Sequence, residues 1–259
     1  MFSGWRFLVT GATGGGTGSA LARHFAAKGA TVLVNGRTAQ AVEAFLAGEP
    51  GGDYVEAAGD IASAGDVDAI AARHREPVDV LICNAATSHP RHDIAGYPLD
   101  QWRNEIDTML TGPFLLARSL IPRMAERGFG RVIMVSSNAA RRGTWGRGAG
   151  YSAAKAGLEG LARQIALEYG RSGITANVIA PSQIDTPRAR RGGRKSDDEF
   201  RRYAEALVPV GRVGTPGDIC ALAEYIASRD AGYLNGQTIA LDGGSALSSR
   251  LTQARGATA

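Results

Sequence analysis

Short apolar runs alternate with amphipathic stretches along almost the whole chain. The runs at 6–10, 31–35, 54–58, 78–84, 130–136, 175–180 and 238–242 are bounded by Gly, Asp or Asn and read as strands buried on both faces. The intervals 19–28, 39–46, 64–75, 99–127, 151–169 and 217–228 carry helical periodicity. Strands separated by helices require right-handed crossovers. The prediction is an α/β fold, a single-domain Rossmann-type doubly wound parallel sheet of about seven strands flanked by helices. The domain is expected to run from 1 to 244 with a substrate lid at about 187–210, followed by a partly ordered tail at 245–259.

Composition narrows the function. At 259 residues and 44% hydrophobic, the chain can bury one sizeable core. It has no apolar run of about 18 residues and no leader pattern, so a cytoplasmic protein without a membrane partner is expected. Cys83 and Cys220 lack metal or redox spacing and are expected to be buried thiols. The net charge of +4 is accounted for by residues 187–202, where seven Lys/Arg face three Asp/Glu. A local excess argues against a nucleic-acid partner. It leaves open a solvated loop or an electrostatic guide for an anionic substrate.

Two stretches carry candidate chemistry. Tyr151 and Lys155 stand four residues apart where a helical pattern begins. Side chains at that spacing share a helix face, so the ammonium can bias the protonation of the phenol and make it a usable proton donor. At the other end, the run 7–11 leads into Ala12-Thr13-Gly14-Gly15-Gly16-Thr17-Gly18 and then a helix. A strand, a glycine turn and a helix N-terminus together form an anion site suited to a pyrophosphate. The second strand ends Asn35-Gly36-Arg37, with no carboxylate to bond a ribose diol. Arg37 can fork onto a phosphate, which favours NADP(H) and keeps NAD(H) possible.

The glycine turn, Asn84-Ala85-Ala86, Ser137, Tyr151-x-x-x-Lys155 and Asp242-Gly243-Gly244 occur in an order that resembles the short-chain dehydrogenase/reductase family over nearly the whole chain. The resemblance implies that Gly11, Gly16 and Gly18 hold a pyrophosphate, Asp60 and Ile61 contact adenine, and Asn84 lines the adenosine ribose. It implies that Ile184 and Thr186 hold the nicotinamide carboxamide. Tyr151 is then the acid/base, Lys155 lowers its pKa and holds the nicotinamide ribose, and Ser137 orients the carbonyl oxygen. The implied activity is an NADP(H)-dependent interconversion of a ketone and a secondary alcohol, with 3-oxoacyl reduction as the first candidate. The implied assembly is a homotetramer or homodimer.

Three departures stand out. The glycine turn is one residue longer than the usual Thr-Gly-x-x-x-Gly-x-Gly, so it must bulge. Ser137 lies fourteen residues before Tyr151, one more than usual, which puts Asn138 at the usual spacing. Met109 occupies a position where the family usually has an asparagine that holds a water of the proton relay. A thioether cannot replace that amide. Either Thr108 or Thr111 serves the relay, or the chain is a nucleotide-binding sensor or scaffold with impaired catalysis.

The substrate side is expected to be walled by the 88–97 and 139–150 loops and the 186–210 segment. Arg141, Arg142, Trp145 and Arg147 offer a carboxylate, phosphate or acyl carrier a basic, aromatic wall, or they face water. His89, His92 and Asp93 invite a metal reading, but solvent-facing loop histidines are expected and no metal is predicted.

Overall fold

The computed structural model describes residues 1–49, 51–74, 76–87, 90, 92–142, 148–187, 198, 202, 204 and 206–247. Seven parallel strands form one sheet in the order β3-β2-β1-β4-β5-β6-β7. They are β1 Arg6–Val9, β2 Thr31–Val34, β3 Tyr54–Glu56, β4 Val80–Cys83, β5 Gly130–Val135, β6 Ile174–Pro181 and β7 Thr238–Leu241. Each expected strand is present, within one or two residues at most ends. Among the described residues the α-helices are α1 Thr17–Ala27, α2 Ala39–Ala47, α3 Ala64–Arg73, α4 Leu99–Ile106, α5 Gly112–Glu126, α6 Ala149–Tyr169 and α7 Pro216–Ala227.

Alternating strand residues feed two cores because successive side chains leave a strand on opposite faces. Leu8, Leu81, Val132, Met134 and Val178 pack with α3, α5 and α6. Phe7, Val9, Ile82, Ile133 and Ile179 pack with α1, α2 and α7. Both sheet faces are therefore covered, as the unbroken apolar runs require. Cys83 and Cys220 are free and buried, one in each core. Burial pushes the Cys83 thiol up to about 12, against the opposing effect of Lys155. Burial and the neighbouring Glu224 push that of Cys220 to about 11.

The helix expected over 99–127 is interrupted. Residues Asp107–Thr111 form a π-turn between α4 and α5, with Thr108 and Met109 buried. A widened turn of this kind alters which side chains face inward without ending the apolar pattern. The catalytic-pattern helix also starts earlier than the sequence suggests, at Ala149, so Tyr151 lies in its first turn. The start of the expected tail folds back: the Ser245 amide donates to the Asp242 carbonyl at 3.0 Å and Ser245 is buried. No helix of the described residues is long and apolar enough to cross a membrane.

Candidate active site

Because all strands run the same way, their carboxyl ends meet along one edge, where ligands of open α/β sheets bind. Between β1 and β4, whose connections depart to opposite sides, the glycine turn meets Asn84. The Thr10 hydroxyl accepts from the amides of Asn84 and Ala85 at 2.9 and 3.0 Å, and the Asn84 side chain donates to the Thr10 carbonyl at 3.0 Å. Gly11 has a φ of +64°, and a Cβ there would stand 2.8 Å from the Ala85 Cα. A Cβ on Gly18 would run into the Asn84 side chain and the Gly11 carbonyl. These two glycines are required by close packing. Gly14 and Gly16 face open space instead.

Within the lengthened turn, Gly15 adopts φ +66°. Its amide donates to the Ser19 hydroxyl at 2.9 Å, and that hydroxyl in turn donates to the Ala12 carbonyl. Gly16 is the N-cap of α1 and no side chain caps the helix. The first N–H groups of a helix have no intrahelical partner. Open space before an uncapped helix end is what a pyrophosphate needs, so these residues fit a dinucleotide.

Arg37 and Asp60 lie together at the ends of β2 and β3, with Nε 3.8 Å from Oδ2 and both side chains substantially exposed. Ile61 does otherwise: its side chain belongs to the core with Ala57, Val67 and Ile70. Ile184 makes an isolated parallel bridge with Gly214, just beyond β6. Thr186 is half-buried nearby in sequence. A cavity of about 170 Å³ opens beside Ser182, Gln183, Asp242 and Gly243.

At the end of β5 the chemical side chains converge. The Lys155 Nζ donates to the Val135 carbonyl at 2.7 Å and sits 5.8 Å from the centre of the Tyr151 ring. The Ser136 hydroxyl donates to the Lys155 carbonyl at 2.8 Å, fastening α6 to the strand end. Tyr151 packs with Met109, Ala139 and Ala154, and Ala86 lies against this group. The segment 84–86 thus touches both the glycine turn and the tyrosine cluster. Ser137 is half-buried and accepts the Ala139 amide at 3.2 Å. Asn138, its rival by spacing, is turned elsewhere: its side chain donates to Asp242 at 3.0 Å. Burial would raise the Asp242 pKa, but the Ala246 and Gly244 amides, with Asn138 and Ser245, hold it below the ordinary carboxylate range.

Met109 is fully buried. Thr108 is also buried, whereas the Thr111 hydroxyl donates to Asp107 at 3.3 Å on the exposed side. Arg141 pairs with Glu159 at 3.1 Å, and Arg142 donates to the Ser245 carbonyl at 3.4 Å. Trp145, Arg147, His89, Ser88 and nearly all of the basic 187–202 segment lie outside the described residues. Among the described residues, no group of three His, Cys, Asp or Glu side chains could hold a metal ion. Motif reading does not reach Glu105, a fully buried carboxyl one turn before Met109. Its only sequence signal is an acid four residues ahead of a core position.

A family profile described as enoyl-(acyl carrier protein) reductase matches residues 11–246. The 3-oxoacyl-[acyl-carrier-protein] reductase MabA of Mycobacterium tuberculosis is 35% identical over 243 residues, covering 92% of this chain and 91% of its own. A gluconate 5-dehydrogenase from Burkholderia cenocepacia, solved with NADP and tartrate, superposes with a TM-score of 0.86 at 27% identity, covering 95% and 97% of the two chains. A 3-oxoacyl-[acyl-carrier protein] reductase from Brucella melitensis with bound NAD gives 0.82 at 27% identity, covering 93% and 91%. Sheet order, glycine turn and matched length agree: this chain belongs to the short-chain dehydrogenase/reductase family and is an oxidoreductase of that family.

Proposed function

We propose that this oxidoreductase uses NADP(H) to interconvert a ketone and a secondary alcohol, with 3-oxoacyl thioesters as the first substrates to test. The observation that carries this reading is the placement of Lys155 and Tyr151 beside the end of β5, joined to the glycine turn through residues 84–86. When bound, the dinucleotide supplies or accepts the hydride. The α1 N-terminus at Gly16 and Gly18 would hold its pyrophosphate across the close-packed Gly11, and Asn84 and Asp60 would line the adenosine. Ile61 would contribute only backbone, since its side chain is in the core. Arg37 would leave its long contact with Asp60 to grip a 2′-phosphate, the basis for preferring NADP(H). Ile184 and Thr186 would face the carboxamide.

In reduction, Tyr151 donates a proton to the carbonyl oxygen, Ser137 hydrogen-bonds the same oxygen, and Lys155 holds the nicotinamide ribose. The engagement of Asn138 with Asp242 favours Ser137 for this role. The 88–97 loop and the segment after Thr186 would wall the substrate. Assembly as a homodimer or homotetramer belongs to the same proposal and is in keeping with the exposed Phe114 on α5.

Steady-state reduction of acetoacetyl-CoA with NADPH and with NADH tests the reading. NADPH is expected to be preferred, and Tyr151→Phe to lower kcat about a thousandfold with dinucleotide binding retained. A fully active Tyr151→Phe variant would sink it. Burial of Met109 against Tyr151 favours a second reading, a dinucleotide-binding sensor with weak chemistry. Tight dinucleotide binding without turnover over a broad carbonyl and alcohol panel would select that one.

A further inference from the structure

Glu105 is completely enclosed on α4, one turn before Met109, and is itself none of the residues that carry the family resemblance. Its Oε2 accepts from the Tyr97 hydroxyl at 2.7 Å, and its Oε1 accepts from the Gln101 side chain at 3.0 Å. The same Gln101 amide group donates to the Pro90 carbonyl at 2.8 Å, and the His92 ring meets the Tyr97 ring edge-on at 5.7 Å. One carboxyl therefore gathers the loop that ends at Tyr97.

It also reaches α6. The N-cap of that helix, Gly148, offers no side chain, and no acid stands in the first turn. The Gly150 amide interacts with the Tyr97 oxygen. A Cβ on Gly148 would collide with the Tyr97 hydroxyl, and one on Gly150 with the Glu105 carboxyl. The glycines flanking Ala149 are thus the space into which α4 and its preceding loop insert their polar atoms, immediately before Tyr151. An apolar side chain would fill the Glu105 site without the desolvation that a buried carboxyl incurs, so the contribution specific to Glu105 is directional. Hydrogen bonds in a buried network fix orientation where packing alone leaves freedom.

We propose that Glu105 and Tyr97 are positioning residues for carbonyl reduction, clamping the first turn of α6, and with it Tyr151, to the loop on the substrate side. This rests on Tyr151 being the proton donor. Displacement of a donor by a fraction of an ångström lowers turnover without weakening cofactor binding.

The test uses Tyr97→Phe, which removes one hydroxyl and little volume, together with Glu105→Leu, Glu105→Gln and the double variant Tyr97→Phe/Glu105→Leu. Amide hydrogen exchange over residues 149–155, NADPH affinity by fluorescence and kcat for acetoacetyl-CoA are measured on each. Tyr97→Phe and Glu105→Leu are each expected to speed exchange and to lower kcat about tenfold with NADPH affinity unchanged. The double variant is expected to match the singles, since both act through one bond. Glu105→Gln keeps an acceptor for Tyr97 and is expected to recover most of the loss. Unchanged exchange in both single variants, or losses that multiply in the double, would overturn the proposal, and the exchange readout decides even if this thioester is a poor substrate. Tyr151→Phe in the same assay separates the two ideas: if it is active, the proton-donor reading fails. If it is inactive while Tyr97→Phe and Glu105→Leu behave as wild type, only the clamp fails.

Discussion

Around residues 11–18 the chain excludes side chains, whereas around Tyr151 it buries polar ones. At the glycine turn, backbone touches backbone: Gly11 lies under Ala85, Gly18 under Asn84, and the helix end beyond is left uncapped. At the tyrosine, Lys155, Ser136 and Asn138 are buried and hydrogen-bonded to partners distant in sequence, and the buried Glu105 is bonded by Tyr97 from the loop before its own helix. The first region offers peptide groups that every residue possesses; the second offers side-chain groups that a few residues alone possess. One should therefore fail when an atom is added, and the other when an atom is removed.

The largest effect on stability is expected from adding a methyl group at the turn. Gly11→Ala combines a positive φ with a collision against Ala85, a cost of about 3–4 kcal/mol in urea unfolding. Gly14→Ala, where a Cβ meets nothing within 4 Å, is expected to change stability by less than about 0.5 kcal/mol. Equal losses at both positions would erase the distinction. Next, Met109→Ala removes buried atoms beside Tyr151 and is expected to cost about 2–3 kcal/mol, with a lower kcat as the tyrosine loses its backing. A variant that unfolds normally but turns over faster would show that the thioether obstructs the relay.

The fold was legible in the sequence for a specific reason. Strands such as Val80–Cys83 are buried on both faces and so read as unbroken apolar runs, and the glycines lie at strand-to-helix junctions. Spacing does not separate Ser137 from Asn138, because the bond that engages Asn138 runs to Asp242, more than a hundred residues away. The π-turn at Asp107–Thr111 was not legible either, since it keeps an apolar pattern while changing its phase. Glu105 is the clearest case. A lone acid on a helix looks like a solvent-facing residue until Tyr97 and Gly150 are brought to it by tertiary packing.

Two smaller effects sharpen the contrast. Arg37→Ala is expected to weaken NADPH binding about tenfold relative to NADH, with little effect on stability because the side chain is largely exposed. Unaltered selectivity would remove Arg37 from the cofactor site. The smallest effect is electrostatic. Asp218, bonded foremost by Arg212 and the Thr215 amide, and Asp242 both sit below the ordinary carboxylate value of 3.8. A carboxylate with a lowered folded pKa stabilises the fold above its unfolded pKa and loses that contribution as pH falls through the folded value. Stability is thus expected to hold from pH 7 to about 5 and to decline below about 4, with Asp242→Asn flattening part of the slope in acid titrations followed by circular dichroism.

The two enclosed cysteines give the folded molecule a chemical silence. Burial raises both thiols above the ordinary 9.0, to about 12 and about 11, so alkylating reagents and peroxide are expected to react slowly with the folded protein. Opening of either core restores ordinary reactivity, so the rate of labelling at Cys83 or Cys220 reports separately how often each side of the sheet comes apart.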